Sequence, residues 1–243
     1  MIVSDVMTTR LITVVPDDTL SHAANLLRQY QFHHLPVVRT APPFGSVYTG
    51  QGKHPVLEGL LTSQDIDMAA AVGTSSSDIL RQPWGERRVL EVMHRATMRV
   101  TPTTSVAAAA QILVERGLNC LPVVEYERPE QAPAGEQDDM LSQPLLVGLL
   151  TRSDLLMALA RALGAFEPGM QLSIPLPLGD LTPLAKTLAL AAELHIQVRS
   201  VLAAPLEGKV PLSATVRLGT IYPAPLLVRL QEEHIDYAYG EAQ

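Results

Sequence analysis

One cysteine stands among the 243 residues. Cys120 has no partner for an intrachain disulfide, so a reducing compartment is expected. Aromatic residues make up only 4% and charged residues only 18%. Hydrophobic residues reach 47%, enough for a real core and for a surface that favours self-association. Positive charge is in deficit: 18 Lys and Arg stand against 25 Asp and Glu, a net charge of −7. That balance speaks against nucleic acid as the partner, because phosphate binding needs a basic footprint. No apolar run approaches the ~20 residues of a membrane span. The N-terminal MIVSDVMTTR lacks the basic-then-apolar start of a signal peptide. A soluble cytoplasmic protein is expected.

Catalytic signatures are also missing. There is no nucleophile elbow and no dinucleotide-binding glycine fingerprint. The segment Gly45–Gln51 fails as a phosphate loop, since Gln51 stands where a lysine must follow the second glycine. His33 and His34 are adjacent, so on a strand they point to opposite faces and cannot share a metal. One cysteine makes a structural zinc site improbable. No nucleophile–base or paired-carboxylate arrangement repeats. The expectation is no catalytic residue and no metal; an active site assembled only in the fold is the remaining alternative.

What is present is a duplication. Residues 3–38 align without a gap to residues 89–124 at an offset of 86, with 12 of 36 positions identical. Val6-Met7 matches Val92-Met93, Pro16 matches Pro102, and Leu35-Pro36-Val37-Val38 matches Leu121-Pro122-Val123-Val124. Further on, Gly59-Leu60-Leu61-Thr62-Ser63-Gln64-Asp65 recurs as Gly148-Leu149-Leu150-Thr151-Arg152-Ser153-Asp154 at an offset of 89. A repeat sets the architecture first, here a pseudo-twofold pair of units.

Each repeat reads in the same order. A short helix at 3–7 (89–93) precedes an extended stretch at 11–15 (97–101). Thr19 or Ser105 then caps a helix at 20–30 (106–116), whose apolar residues recur at helical spacing. A short buried strand follows at His34–Val38. A second strand, 56–61 (145–150), runs into a helix at 63–72 (152–163). Between the strands lie Pro- and Gly-rich segments, 39–55 and 125–144, expected as exposed mobile loops. Their difference of three residues accounts for the change in offset. Residues 74–88 link the repeats. After Pro168-Gly169 the pattern changes to strand 170–178, helix 181–195, a hairpin of 196–203 and 210–218 around Glu207-Gly208-Lys209, helix 223–234 and strand 235–239. That βαββαβ order is ferredoxin-like. The fold class is therefore α/β (α+β): two β-α-β-β-α repeats followed by a βαββαβ unit.

Val-Met, then Val-x-Pro, Leu-Pro-Val-Val and Gly-Leu-Leu-Thr-x-x-Asp, each in two copies, closely resemble the tandem CBS domain. The resemblance covers residues 1–165, with CBS domains at 1–80 and 81–165. The unit at 170–243 looks like an ACT domain, on its topology and on Gly179-Asp180-Leu181 after the first strand. A CBS pair followed by an ACT unit resembles the acetoin-utilisation accessory (AcuB-type) proteins, although that family usually has a tight turn where 39–55 and 125–144 stand here.

The Thr-x-x-Asp motif carries two compatible readings. As a capping box, Thr62 (Thr151) caps the helix and Asp65 (Asp154) returns the hydrogen bond. As a ligand motif, the helix N-terminus offers amides to phosphate and the carboxylate accepts from a ribose diol. CBS pairs bind adenosine-containing ligands in the clefts between repeats, and the resemblance implies two sites. Site A comprises Thr8, Thr13 and Phe32 with Asn119, Cys120, Thr151, Ser153 and Asp154, and Arg152 supplies the missing cation. Site B comprises His94, Arg99 and Leu118 with His33, His34, Thr62 and Asp65. His33-His34 is otherwise a polar pair at a strand edge, and Cys120 is otherwise a small packing residue. Gly179, Asp180 and Leu181 would form the effector loop of an ACT unit, or a plain strand–helix turn with a permissive glycine.

The implied function is a non-catalytic regulator that binds AMP, ADP, ATP or S-adenosylmethionine, with no catalytic cofactor. It is expected to homodimerise and to act on a partner enzyme, away from membranes. The alternative is an interaction scaffold with degenerate clefts.

Overall fold

The computed structural model describes residues 1–41, 54–74, 83–95, 98–126, 143–203 and 210–241. Most of the 39–55 and 125–144 segments, the 75–82 part of the linker, residues 96–97, the Gly45–Gln51 stretch and the Glu207-Gly208-Lys209 turn lie outside them. The chain divides into two compact units, Met1–Leu155 and Leu156–Gln243.

In the first unit, repeat one supplies α1 (Leu20–Tyr30), β1 (His34–Ala41), β2 (His54–Thr62) and α2 (Ser63–Thr74). Repeat two supplies α3 (Val106–Glu115), β3 (Cys120–Tyr126), β4 (Pro144–Thr151) and α4 (Arg152–Ala162), whose last turns pass into the second unit. Thr19 Oγ1 accepts from His22 N at 3.2 Å and Ser105 Oγ from Ala108 N at 3.1 Å, so both helix caps form as the sequence implies. The strands make one sheet of order β1-β2-β4-β3, so the two hairpins meet along β2 and β4. Val38, Leu57, Val124 and Leu146 bury that seam. Pro36 and Pro122 fall on β1 and β3, the two outer strands, where a missing amide is tolerated. The stretch expected at 11–15 and the described part, 98–101, of the one expected at 97–101 reduce to single parallel bridges, Val14 to Val37 and Val100 to Val123.

The leading segments change places. Val3 is fully buried in the core of repeat two, with Val6 and Met7 packed beside it. Val89 is fully buried in the core of repeat one, with Val92 and Met93. Thr8 exchanges both backbone hydrogen bonds with Leu149 of β4, at 2.9 Å each. His94 does the same with Leu60 of β2, at 2.7 and 2.9 Å. Gly59 makes this approach possible, because a Cβ there would stand 2.6 Å from the His94 carbonyl oxygen. The short helices expected at 3–7 and 89–93 are single 3₁₀ turns, Val3–Asp5 and Val89–Glu91.

The second unit contains β5 (Met170–Pro175), α5 (Thr182–Glu193), β6 (Val198–Leu202), β7 (Ser213–Leu218), α6 (Ala224–Glu232) and β8 (Ala238–Glu241). Its antiparallel sheet has the order β6-β7-β5-β8, as a ferredoxin-like βαββαβ chain requires. Leu172, Ile174, Val216, Leu226 and Leu230 fill the layer between sheet and helices. Residues 163–167 are tied to this unit: Ser200 Oγ donates to the Leu163 carbonyl at 3.3 Å and Arg199 pairs with Glu167 at 2.7 Å. No described helix is long and apolar enough to cross a membrane.

Candidate functional site

Both Thr-x-x-Asp motifs form capping boxes. Asp65 Oδ2 accepts from Thr62 N at 2.8 Å and Thr62 Oγ1 at 2.7 Å, while Asp65 N donates to Thr62 Oγ1 at 3.2 Å. Asp154 repeats the pattern with Thr151 at 2.8, 2.7 and 3.1 Å. The other oxygen of each carboxylate reaches the exchanged segment. His94 Nε2 lies 2.8 Å from Asp65 Oδ1, and Thr8 Oγ1 donates to Asp154 Oδ1 at 3.3 Å. His94 and Thr8 are counterparts at the repeat offset, so each acidic residue joins its helix cap to the opposite repeat.

Two clefts lie beside these links. The larger, about 460 Å³, collects Thr8, Arg10 and Ile12 from the leading segment and Phe32, His33 and His34 from the start of β1. Thr151, Arg152 and Ser153 at the head of α4 line it as well. Ile12, Phe32 and Pro36 give it an apolar wall, and Arg10, Arg152 and the imidazoles give it a basic one. The smaller, about 250 Å³, is lined by Leu60, Thr62, Met98, Leu118 and Cys120, and also by His34, His94 and Arg95. The larger falls within the ~300–1,000 Å³ usual for small-molecule sites and the smaller falls below it.

Several site residues land elsewhere than expected. Thr13 and Arg99 line neither cleft; their neighbours Ile12 and Met98 do. The same one-residue slip occurs in both repeats. Arg99 lies over the Tyr126 ring instead, at 5.8 Å. His33 lines the larger cleft, not the smaller, and His34 reaches both. His33 occupies a bend ahead of β1, so strand alternation does not separate it from His34. Burial, and secondarily the charge of His33, hold the His34 imidazole below its usual range, against the opposing pull of Asp65. Asn119 borders both clefts, and Cys120 lines the smaller rather than the larger. Burial pushes the Cys120 thiol up to about 12, which makes it a packing group and not a nucleophile at neutral pH. Arg10 and Gln31 were not anticipated; the signal for Arg10 was its counterpart, Ala96, which leaves the charge unpaired across the duplication.

Asp65 and Asp154 line neither cleft. A carboxylate offers about four acceptor positions, and three are used here. A ribose diol needs two, so it can bind these oxygens only by displacing His94 or Thr8. In the second unit Asp180 stands two residues before Thr182, the first residue of α5, its Oδ1 accepting from Thr182 N at 2.9 Å and Thr182 Oγ1 at 2.6 Å. Those bonds, the side-chain one foremost, hold its carboxyl below the usual range. Gly179 takes φ +80°, and a Cβ there would stand 2.4 Å from Val210 Cγ1. Leu181 immediately precedes α5 and is half exposed. These residues have the geometry of a strand–helix turn.

The CBS domain model matches residues 3–71 and 89–130. The CBS domain-containing protein YhcV of Bacillus subtilis is 32% identical over 123 residues, which cover 51% of this chain and 72% of that protein. The chain belongs to the CBS-domain family. Among solved structures, a candidate acetoin utilization protein (AcuB) from Vibrio cholerae is 23% identical over 68% of this chain and 93% of its own, with a TM-score of 0.47. CBSX2, solved in complex with AMP, is 22% identical over 66% of this chain and 96% of its own, with a TM-score of 0.45. In CBS terms the exchanged leading segments, the paired hairpins and the two capping boxes all belong to the tandem module, and both clefts lie within it.

Proposed function

We propose that this CBS pair is a non-catalytic sensor of an adenine nucleotide or related adenosyl ligand. Its working parts are CBS repeats at 1–80 and 81–165, with an ACT-like unit at 170–243 for dimerisation or relay in the cytoplasm. The larger cleft carries the reading: its lining combines apolar side chains for a base with hydroxyls and cations for a sugar and phosphate. Phe32, Ile12 and Pro36 offer the faces for a purine. Arg10, His33, Arg152 and the first turn of α4 offer donors to phosphate. The ligand acts on the protein by its differential affinity for two arrangements of the repeats. Isothermal titration of the full chain with AMP, ADP, ATP and S-adenosylmethionine tests this. Heat of binding at micromolar to low millimolar ligand is expected, and a folded chain silent to all four at millimolar ligand refutes the reading.

A scaffold that contacts a partner enzyme is the second reading. It is favoured by apolar side chains of the second unit left in solvent: Leu178 is 97% exposed, Ile221 85% and Leu212 72%. Capture of one enzyme equally well with and without nucleotide would support it over the sensor.

A further inference from the structure

We infer that the two clefts are unequal by construction: the larger takes one phosphate-bearing adenosyl ligand per chain, and the smaller is latched shut by His94 on Asp65. This rests on the adenosyl reading above and adds stoichiometry, position and charge preference to it.

Three observations carry it. The first is size, about 460 against about 250 Å³. The second is the sugar-binding end. To hold a diol, each carboxylate must release its partner in the exchanged segment. Thr8 Oγ1 holds Asp154 through one long hydrogen bond of 3.3 Å, which a ligand hydroxyl replaces at little cost. His94 holds Asp65 at 2.8 Å and itself lines the smaller cleft. Both bonds end on a carboxylate, so length separates them, and the 2.8 Å contact is the better formed of the two. The latch therefore opposes a ligand in the smaller cleft more than Thr8 does in the larger.

The third is the phosphate end. Arg152 and Ser153, at the head of α4, line the larger cleft; their counterparts Ser63 and Gln64, at the head of α2, do not line the smaller. Among the described residues two arginines, Arg10 and Arg152, line the larger cleft and one, Arg95, lines the smaller; Ala96 stands at the counterpart of Arg10. Among the described residues, no carboxylate lines the larger cleft. A polyanionic tail is favoured there and a cationic sulfonium is not.

The test is isothermal titration of the folded full chain and four variants with ATP, adenosine and S-adenosylmethionine. The parent is expected to bind one ATP, about tenfold or more tighter than either uncharged adenosine or the sulfonium ligand. Phe32→Ala is expected to weaken ATP by about tenfold or more through loss of the ring face, while Leu118→Ala leaves it unchanged. Arg10→Ala is expected to erase much of the preference for ATP over adenosine. His94→Thr installs the residue found at position 8 and is expected to open a second site. Two equal sites in the parent, sensitivity to Leu118→Ala in place of Phe32→Ala, or a preference for S-adenosylmethionine each overturn the inference but leave the adenosyl reading standing. Absence of binding by all three ligands overturns the reading itself. The Phe32 and Leu118 variants decide the position even where His94→Thr does not fold.

Discussion

His94 Nε2 stands 2.8 Å from Asp65 Oδ1, and through that contact the leading segment of one repeat is fastened to the helix cap of the other. Asp154 and Thr8 make the matching link at 3.3 Å. The side chains at the two positions differ, Thr8 against His94, while the acidic residue and its cap are the same. The duplication has preserved the anchor and varied what grips it.

Loss of either carboxylate removes the return half of a capping box and an inter-repeat bond together, while Thr62 or Thr151 still accepts from the backbone amide at the substituted position. Asp65→Ala and Asp154→Ala are each expected to cost about 1–3 kcal/mol. Urea unfolding of the full chain measures this. Unchanged midpoints for both variants would show that the links contribute nothing to the fold.

Gly59 and Gly148 occupy matching places but face different neighbours. An Ala at 59 would meet the His94 carbonyl oxygen at 2.6 Å, and an Ala at 148 would meet the Met7 sulfur at 2.5 Å. Backbone held by two hydrogen bonds cannot retreat, whereas a methionine changes rotamer. Gly59→Ala is therefore expected to destabilise by about 1–3 kcal/mol and Gly148→Ala by clearly less. Thermal melts of the two variants side by side decide it.

The His34 imidazole is held below its usual value, chiefly by burial. The folded state then disfavours the proton, and the unfolded chain takes it up first. Stability supplied by neutral His34 is complete above about pH 6.5 and is lost as pH falls from there through the lower folded value. Urea midpoints at pH 7.5 and 5.5 should drop more in the parent than in His34→Gln. Equal drops would place the acid sensitivity in other groups.

Burial raises the Cys120 thiol from 9.0 to about 12. At pH 8 its thiolate fraction is then about a thousandfold smaller than in the unfolded chain. Iodoacetamide should label Cys120 rapidly in urea and barely at all without it. Fast labelling of the folded chain would mean that the wall of the smaller cleft is open.

The duplication, both caps and the succession along the chain of the eight described strands were legible from residues alone, because each rests on a local signal. Thr19 and Ser105 lie just before apolar periodic stretches, and the Gly-Leu-Leu-Thr-x-x-Asp run reads as strand, cap and helix in sequence. The exchange of leading segments left no such mark. A three-residue turn has no periodicity, and which core receives Val3 or Val89 depends on contacts about 100 residues away, such as the Val3 amide on the Thr104 carbonyl. The site was legible by cleft and less so by residue. Thr13 and Arg99 were displaced by one position, and His33 changed clefts because the strand begins one residue after it. Arg10 lies in an irregular segment where residue type alone does not fix direction.

Because Val3 completes one core and Val89 the other, neither copy of the repeat contains everything needed to close itself. A half produced alone would lack its strap and expose the pocket that receives it. Two such halves can satisfy each other only by trading straps between molecules. The covalent join between the copies therefore converts what would be a concentration-dependent handshake into an obligatory one, and makes the clefts a property of the whole module and of neither copy.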